Sequence, residues 1–378
     1  MKTKRILKDL SYKSRIFLVL LLFAFLMFNK SNACTGIRLT ANDGTIVYGR
    51  TMEWGAFDLN SRIAIFLQDY EFVGLTPEGY NGKKWTAKYG FVGLDMIGKM
   101  IIADGMNEKG LTVGFFYHPG FASYAPFNTK EASNTIAGQD VSLYILSQFS
   151  TIDEVKAGMN KINVVGVFEE QIGQQIDAHY IVTEPSGKSI VIEFTDQKVK
   201  IHDNPLGVIT NAPNYDWHMT NLRNYINLSP VAIPTKKIED LDFSPLGGGS
   251  GLIGLPGDFT PPSRFIRAVA FSQTARKTSD GLDASTELFR ILDNFNVPLG
   301  AAEGSSLANS EDNLKSATLY TTAWDTRNLT FYYHTQYDRR VRILDFSDID
   351  FKPKDGKIKY YPMDKEKKQD MENVLLRN

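Results

Sequence analysis

The sequence has very little cysteine: Cys34 is the one thiol among 378 residues. A lone cysteine cannot form a disulfide within its own chain, so the fold depends on its core. An excess of charge of either sign is also missing, because 42 basic and 43 acidic side chains leave a formal net charge of −1. This balance argues against a nucleic-acid-binding protein, which usually carries a strongly basic surface. The hydrophobic content of 43% is ample for one large core or two modest domains.

The N-terminal segment lacks an apolar run long enough to span a bilayer comfortably. The uninterrupted apolar run Ile16–Phe28 has 13 residues, whereas a spanning helix needs about 20. Basic residues precede this run, and the small residues Ser31 and Ala33 follow it, as in a signal peptide. We therefore predict a signal peptide over residues 1–33, cleavage after Ala33, and an exported mature protein that is periplasmic or secreted.

Two alternatives remain open for this segment. An uncleaved membrane anchor would keep the apolar run, and a lipoprotein would carry its lipid on Cys34. Lipoprotein signals usually have Leu three residues before the cysteine, where this sequence has Ser31. We therefore favour simple export over lipid anchoring.

The residues after Cys34 predict a β-hairpin. The segments Gly36–Thr40 and Thr45–Arg50 have strand character and flank Asn42–Gly44, a turn signal of the Asp-Gly type. The two ends of this hairpin, Cys34 and Arg50, are therefore expected to lie close together.

Strand and helix patterns continue along the chain, with strands near both ends and helices between them. Further strands are predicted at Ser61–Gln68, at two places within Met100–Phe116 around Asp104–Gly105, and at His179–Thr183, Ser189–Phe194, Gly207–Thr210, Ala317–Trp324, Leu329–His334 and Arg340–Phe346. Helices are predicted at Val141–Phe149, Ile152–Ile162, Ser263–Thr274 and Ser285–Phe295, and a Pro- and Gly-rich loop at Ser229–Pro262. This order predicts an α+β fold with layered, mainly antiparallel sheets, in a single catalytic domain over 34–378 whose charged, peripheral tail begins at about residue 353.

The chemistry of Cys34 requires a base. A thiolate is a strong nucleophile, but the thiol proton must first be removed. Thr35 and Gly36 follow Cys34, in place of the Gly-Ser-Cys-type signature of papain-like Cys–His enzymes. Removal of Ala33 would give Cys34 a free α-amine, which titrates at about 7.7–8.0 when unperturbed and lies beside its own sulfur. The amine can then act as the base, and Arg50 can stabilise the thiolate.

Four ordered blocks of sequence, taken together, resemble the choloylglycine hydrolase family, which comprises bile-salt hydrolases and penicillin V acylases. The blocks are Cys34–Gly36 with Tyr48–Trp54, Ala103–Leu111, Thr210–Pro213, and Leu255–Asp258 with Ser263–Phe265. The resemblance implies an N-terminal-nucleophile hydrolase with a four-layer αββα sandwich of two antiparallel sheets. It further implies that the enzyme needs neither a cofactor nor a metal and assembles as a homo-oligomer, often a tetramer.

The resemblance also implies roles for individual residues. Cys34 would be the nucleophile and its amine the base, while Arg50 would tune the ionisation of the sulfur. In the family an Asp usually stands three residues after this Arg and holds the α-amine, where this sequence has Glu53. The carboxylate is kept but lies one methylene further out, so its contact is an open question.

Three further residues would complete the site by resemblance. Asn211 and the backbone N–H of Tyr117 would bind the oxyanion, and Arg264 would support charge near the nucleophile. Bile-salt hydrolases tend to have Asn at the position of Tyr117, and penicillin V acylases tend to have Tyr.

The function implied is hydrolysis of a linear amide with an apolar acyl group, through a thioester intermediate. The small-molecule substrate could be penicillin V or a conjugated bile salt, with acyl-homoserine lactones as an alternative class. The departure at Glu53 leaves another reading open, an exported or lipid-anchored binding protein that keeps the fold without the activity.

Overall fold

The computed structural model describes residues 34–55, 58–302 and 317–376. The predicted signal peptide, residues 1–33, lies outside these ranges. Within them, no helix is both long and apolar enough to cross a membrane.

The predicted hairpin opens the described part of the chain. Strand β1 (Thr35–Thr40) pairs antiparallel with strand β2 (Ile46–Trp54), and Gly36 lies opposite Arg50. In the turn between them, Gly44 has a φ of +83°, which a residue without a Cβ atom adopts at little cost. The prediction of a hairpin here is confirmed, and the N-terminal end of β1 lies beside Arg50.

The remaining elements follow in chain order and include most of the predicted ones. The strands are β3 (Arg62–Phe66), β4 (Glu71–Val73), β5 (Lys84–Thr86), β6 (Phe91–Met96), β7 (Lys99–Asn107), β8 (Thr112–Tyr117), β9 (Thr135–Ala137), β10 (Asn163–Val165), β11 (Phe168–Glu169), β12 (Gln174–Gln175), β13 (Ala178–Thr183), β14 (Ser189–Thr195), β15 (Lys198–Asp203), β16 (Val208–Ile209), β17 (Lys236–Ile238), β18 (Leu241–Phe243), β19 (Ala317–Asp325), β20 (Thr330–Thr335), β21 (Arg342–Asp345) and β22 (Lys359–Pro362). The helices are α1 (Val141–Gln148), α2 (Ile152–Met159), α3 (Tyr215–Leu222), α4 (Pro261–Thr274) and α5 (Gly281–Leu292).

Two large sheets form the centre of the fold. One has six strands in the order β16-β1-β2-β19-β20-β21, and the other has eight in the order β15-β14-β13-β8-β7-β6-β3-β22. Neighbouring strands within both sheets are antiparallel.

Helices cover the outer faces of the two sheets. Helix α4 packs on β1 and β16, and α5 packs on β1, β2 and β19, while α1 packs on β7 and β8 of the other sheet. The sheets contact each other through buried side chains, such as Trp324 of β19, whose indole N–H donates to Asp104 of β7. The predicted αββα sandwich is confirmed.

Strand β2 carries charged residues in the deepest part of this sandwich. All nine of its residues are buried, because the strand lies between β1 and β19 and beneath α5. A strand covered on both faces normally reads as a continuous apolar run, yet β2 contains Arg50 and Glu53. Because burying an unpaired charge is costly, these two residues indicate where a functional site lies.

One predicted turn was placed wrongly. Strand β7 runs straight through Asp104 and Gly105, and its turn to β8 comes at residues 108–110. The Asp104 carboxylate faces the other sheet, where it accepts hydrogen bonds from Thr322 (2.6 Å) and Trp324 (2.8 Å). The Asp-Gly pair was a turn signal in the sequence, but these partners across the core keep it in the strand.

Two segments for which no strand was predicted contain strands. The loop Ser229–Pro262 includes the exposed hairpin of β17 and β18. The C-terminal tail adds β22 at the periphery, where it pairs with the edge strand β3. Without β22, strand β3 would be the edge of the sheet and would leave backbone groups unpaired. These groups can bind β22 through the backbone even though the side chains of β22 are exposed.

The close packing of the six-stranded sheet can be tested at Gly49. A Cβ atom at this position would overlap the Thr322 carbonyl of β19 and lie 2.8 Å from Leu288 of α5. The backbone neighbour cannot move aside, so Gly49→Ala should lower the free energy of unfolding by about 1–3 kcal/mol. In the matched control Gly248→Ala, the added methyl meets no atom within 4 Å. Chemical denaturation of both variants checks this, and equal stabilities would contradict it.

Candidate active site

The Cys34 thiol is buried at the start of β1. It is 3% exposed, and its Sγ lies 3.8 Å from Met52 Sδ and 3.9 Å from the carbonyl oxygen of Glu53. Met52 Sδ also lies 3.6 Å from Nη2 of Arg50, so the thioether sits between the guanidinium and the thiol. Burial raises the pKa of the Cys34 thiol, and the Arg50 charge opposes this effect. The sulfur therefore needs both a base and neighbouring positive charge to ionise.

Asn211, in the loop after β16, joins three distant parts of the chain. Its Oδ1 accepts hydrogen bonds from the Cys34 nitrogen (2.7 Å) and from Arg264 Nη2 (2.8 Å). Its Nδ2 donates to the backbone oxygen of Tyr117 (2.8 Å). Because Oδ1 faces donors and Nδ2 faces an acceptor, the orientation of the carboxamide is fixed by its partners.

Arg264 projects from α4 and is buried beneath the nucleophile. Its Nη1 donates to Thr35 Oγ1 (2.9 Å) and to the Cys34 carbonyl, and its Nε donates to the Phe259 carbonyl (2.8 Å). Burial lowers the pKa of Arg264 to about 10, and Glu53 opposes the shift. The guanidinium is therefore a cation at neutral pH.

Arg50 inserts its side chain between the two sheets. Its Nη1 donates to the carbonyl oxygens of Ala103 (2.9 Å) and Phe115, and its guanidinium carbon lies 4.2 Å from the centre of the Phe116 ring. Burial alone would lower the pKa of Arg50, but nearby ionisable groups, Cys34 foremost, raise it. The partners of the Arg50 guanidinium are thus neutral carbonyl oxygens and an aromatic ring, which do not cancel its positive charge. That charge can therefore stabilise a Cys34 thiolate.

The Glu53 carboxylate does not make the contact that resemblance implies for an Asp at this position. Its Oε1 accepts a hydrogen bond from Thr318 (3.2 Å), and Oε2 has no hydrogen-bond partner among the described residues. The Cys34 nitrogen is directed to Asn211 instead. Burial raises the pKa of Glu53 to about 7, with Arg264 opposing the shift.

The backbone of Tyr117 faces Asn211 at the end of β8. The next residue, His118, donates its N–H to the Asp177 carbonyl (2.9 Å), towards β13. In a strand, the N–H groups of successive residues point to opposite sides, whereas the N–H and C=O of one residue point to the same side. Since the His118 N–H points towards β13, the Tyr117 N–H points away from it. It therefore faces the same side as its carbonyl, which accepts from Asn211.

The side chain of Tyr117 forms part of an apolar cavity. Its ring packs edge-on against Trp54, with 6.0 Å between the ring centres, and its hydroxyl accepts from Gln174. Burial raises the pKa of Tyr117 to about 12, so the hydroxyl is neutral. The other apolar walls include Leu59, Met96, Ile97, Ile101, Phe115 and Ile176. These side chains enclose only about 20 Å³, far less than an acyl group fills, so they form an apolar wall and not a preformed acyl pocket.

A wider groove lies elsewhere on the eight-stranded sheet. It encloses about 1230 Å³ and has Phe72, Trp85 and Met100 among its walls. None of the predicted site residues lines it, whereas Tyr117 is among the walls of the smaller cavity.

Sequence reasoning gave no role to Asp104, which the structure places near Arg50. Oδ2 of Asp104 is bonded to Thr322 and Trp324, and Oδ1 has no hydrogen-bond partner in the described part of the chain. Burial raises the pKa of this carboxyl to about 6, and the Arg50 charge opposes the shift. An Asp within an apolar strand pattern was the available signal, but it was interpreted as a turn.

One cluster of potential metal ligands occurs among the described residues. Ligand atoms of His118, His179 and Glu193 lie within 4.8 Å of one another. The two imidazoles are stacked, with 4.1 Å between centres and 3° between planes, so their in-plane lone pairs run side by side and do not converge. His179 also has both nitrogens engaged, with Thr210 and Glu193. We therefore interpret His179 and Glu193 as a hydrogen-bonded pair on which His118 stacks. The expectation of a metal-free mechanism stays a prediction.

The residues predicted as the site meet around one buried point. Direct hydrogen bonds link Asn211 with the backbone of Cys34 and Tyr117 and with the guanidinium of Arg264. Arg50 reaches the thiol through Met52, and Glu53 contacts it through its backbone carbonyl alone.

Comparison with known proteins identifies a family for this chain. The model of the linear amide C–N hydrolases, choloylglycine hydrolase family, matches residues 34–359. The chain belongs to this family. A bile salt hydrolase/transferase from Clostridium perfringens is 34% identical over 318 residues, which are 83% of this chain and 92% of that protein. A penicillin V acylase from Pectobacterium atrosepticum is 26% identical over 332 residues, covering 82% and 79%.

A solved structure gives the same result for the fold of this choloylglycine hydrolase family member. The crystal structure of a mutant conjugated bile acid hydrolase from Clostridium perfringens superimposes with a TM-score of 0.77. It is 30% identical in sequence and covers 90% of this chain and 99% of its own. The family recognised from four short motifs is thus confirmed over most of the chain.

The buried Glu53 carboxyl predicts a pH-dependent stability. Its pKa is raised from 4.5 to about 7 in the folded protein, so the folded state binds the proton more tightly than the unfolded state. The protonated Glu53 carboxyl contributes to the free energy of unfolding in full below pH 4.5, and this contribution is lost as pH rises through about 7. The total loss amounts to about 3 kcal/mol. Glu53→Gln should therefore become more stable relative to wild type over this window.

Urea denaturation at several pH values measures this difference. The exposed Glu366→Gln serves as the control, and its stability should follow the wild-type pH curve. Parallel curves for wild type and Glu53→Gln would contradict the assignment.

Proposed function

We propose that the protein is exported, that removal of residues 1–33 makes Cys34 the first residue, and that this cysteine hydrolyses a linear amide. The observation that carries the proposal is the Cys34 nitrogen, which is 2.7 Å from Asn211 Oδ1 while its own sulfur faces the same site. As a free amine, that nitrogen would be both anchored and close enough to take the thiol proton. The match of the family model from residue 34 supports the same starting point.

The acylation step uses the atoms of one residue as nucleophile and base. The α-amine takes the thiol proton, and Sγ of Cys34 attacks the carbonyl carbon of the substrate, forming a C–S bond. The C–N bond then breaks, and the leaving amine receives the proton that the α-amine holds. The product is a thioester on Cys34, and Arg50 supports the thiolate before attack.

The oxyanion of each tetrahedral intermediate would be held by two N–H donors. The Asn211 carboxamide uses one N–H for the Tyr117 carbonyl, which leaves its second N–H for the oxyanion. The Tyr117 N–H points to the same side. Loss of one such donor commonly lowers kcat by about 10²–10³. Water, with the same α-amine as base, then hydrolyses the thioester and releases the acid.

The substrate is an amide with an apolar acyl group, and penicillin V is our first candidate. The rings of Tyr117 and Trp54 pack edge-on. Each belongs to a residue linked to the site, because the Tyr117 carbonyl binds Asn211 and Trp54 follows Glu53, whose carbonyl contacts the Cys34 sulfur. Aromatic side chains in this geometry favour contact with a flat aromatic acyl group. The penicillin V acylase relative from Pectobacterium atrosepticum agrees with this choice.

Conjugated bile salts are the second candidate. The relative from Clostridium perfringens at 34% identity is a bile salt hydrolase/transferase. Acyl-homoserine lactones, whose acyl chains are also apolar, are a third class to include in any assay.

A mature protein beginning at Cys34 is the first test. Intact-mass spectrometry of the exported protein should give a chain starting at residue 34 with an unmodified amine. The wild type should hydrolyse penicillin V faster than glycine- or taurine-conjugated bile salts or acyl-homoserine lactones. Cys34→Ser should lose at least about 100-fold in rate, because a hydroxyl is the weaker nucleophile at neutral pH.

Several outcomes would count against parts of this scheme. A mature chain that starts elsewhere removes the base, and a lipidated Cys34 blocks the sulfur. Unchanged activity in Cys34→Ser removes the nucleophile. A faster reaction with bile salts overturns the substrate order but leaves the mechanism intact.

We also propose that the protein assembles as a homo-oligomer, with the β17–β18 hairpin at the contact. Every residue of both strands is exposed, and an isolated two-stranded hairpin is marginally stable in water. Several large apolar side chains of this region are exposed: Ile233, Ile238, Leu241, Phe243, Leu246 and Ile253. A second copy of the chain would bury this surface.

Charges on one face of the hairpin should disrupt this assembly. Leu241 and Phe243 are two residues apart in β18 and therefore share a face. The double variant Leu241→Lys with Phe243→Lys should reduce the mass measured by light scattering to that of one chain. The control Leu282→Lys alters an exposed apolar residue on α5 and should leave the mass unchanged. A single-chain mass for the wild type would refute the proposal.

A further inference from the structure

A buried group of polar side chains lies on the side of Asn211 away from Cys34. Glu193 of β14 is 1% exposed, and its Oε1 accepts a hydrogen bond from the backbone N–H of Tyr215 (2.8 Å). His179 of β13 faces the same oxygen through Nδ1, at 3.3 Å. Burial alone would raise the pKa of Glu193, but hydrogen bonds from His179 and His202 outweigh it and lower the pKa. The proposed catalytic steps use none of these groups.

The other nitrogen of His179 reaches the backbone next to Asn211. Nε2 of His179 lies 2.8 Å from the carbonyl oxygen of Thr210. A carbonyl can only accept, so this nitrogen carries a hydrogen. Glu193 on the opposite nitrogen fixes the orientation of the ring, as second partners of functional imidazoles commonly do. The Thr210 carbonyl is therefore bound by the His179 ring, whose own orientation is fixed by Glu193.

A second imidazole holds the next carbonyl. Nε2 of His218, in α3, lies 3.0 Å from the carbonyl oxygen of Asn211 itself. The ring is stacked on Phe265 at 4.7 Å between centres, and Phe265 directly follows Arg264. Burial lowers the pKa of His218 to about 4, so the ring is neutral and donates through Nε2.

These two bonds replace the strand partners that the backbone lacks at this point. Strand β16 ends at Ile209, so the carbonyls of Thr210 and Asn211 lie beyond its ladder. A buried carbonyl without a partner is costly, and each of these two faces an imidazole. The peptide groups on both sides of the Asn211 Cα atom are thus fixed from the protein interior.

We propose that His218 and the pair His179–Glu193 are positioning residues that hold Asn211 in the geometry needed to bind the oxyanion and the Cys34 nitrogen. This inference rests on the proposed function, because a fixed position of Asn211 matters for catalysis only if Asn211 binds the oxyanion. A misplacement of about 1 Å in a catalytic group can lower a rate by about 10²-fold. The imidazoles act through Asn211 and touch no reacting atom.

A matched pair of variants at His218 tests the role of its N–H. His218→Phe keeps a ring against Phe265 but removes the donor, whereas His218→Gln can place an N–H near the position of Nε2. We expect His218→Phe to lower kcat at least about 10-fold with little change in KM, since acyl binding is not altered. We expect His218→Gln to recover part of the loss. Unchanged kcat in His218→Phe would overturn the proposal.

A double-mutant cycle separates positioning from general stability. If His218 acts through Asn211, then His218→Phe should cost little further activity in an Asn211→Ala background. Additive losses would overturn the proposal, because they would mean that His218 acts independently of Asn211. Thermal unfolding of each protein identifies losses that arise from unfolding alone.

The same cycle at His179 keeps the test available if His218→Phe does not fold. His179→Phe and His179→Gln are the corresponding pair, read out by kcat, KM and the same Asn211→Ala background. Failure of the proposed function would look different, because the wild type would then hydrolyse none of the tested substrates or Cys34→Ser would match its rate. Wild-type activity in Asn211→Ala refutes the oxyanion role, and additivity with a damaged Asn211→Ala refutes only the positioning role.

Discussion

The hydrogen bond between the Cys34 nitrogen and Asn211 Oδ1 is the contact on which the rest of the site depends. It joins the residue just before β1 to a loop that is 177 positions further along the chain. The same oxygen receives Arg264, and the amide nitrogen reaches Tyr117. One carboxamide therefore sets the relative positions of Cys34, Tyr117 and Arg264. The two sheets and α4 must all be in place before this contact can form.

The charges around this contact impose a second constraint. Two guanidinium groups, Arg50 and Arg264, and the carboxyl of Glu53 are buried around Cys34, and the buried carboxyl of Asp104 lies near Arg50. Burial raises the pKa of both carboxyls, to about 7 and about 6. The cations therefore keep their charge more firmly than the carboxyls do. The resulting positive potential favours a thiolate and a developing oxyanion, both of which are negative.

The sequence allowed prediction of features carried by local patterns and by short motifs. The hairpin after Cys34 follows from strand segments around an Asp-Gly turn, and four motif blocks were enough to indicate the family and the αββα fold. Contacts between side chains of the two sheets join residues far apart in the chain, so they leave no local pattern in the sequence. Asp104 was interpreted as a turn residue because its partners, Thr322 and Trp324, lie more than 200 positions away. The link from Glu193 to the backbone at Thr210 was missed because it joins separate elements through His179.

Glu53 stands where the family resemblance implies an Asp that holds the α-amine. Here the Glu53 carboxyl accepts from Thr318, and the Cys34 nitrogen donates to Asn211. A carboxylate bonded to an α-amine would favour the protonated amine, which cannot accept the thiol proton. A neutral amide oxygen anchors the nitrogen without that penalty. In this arrangement the amine of a chain beginning at Cys34 would be held in place and still be free to act as a base.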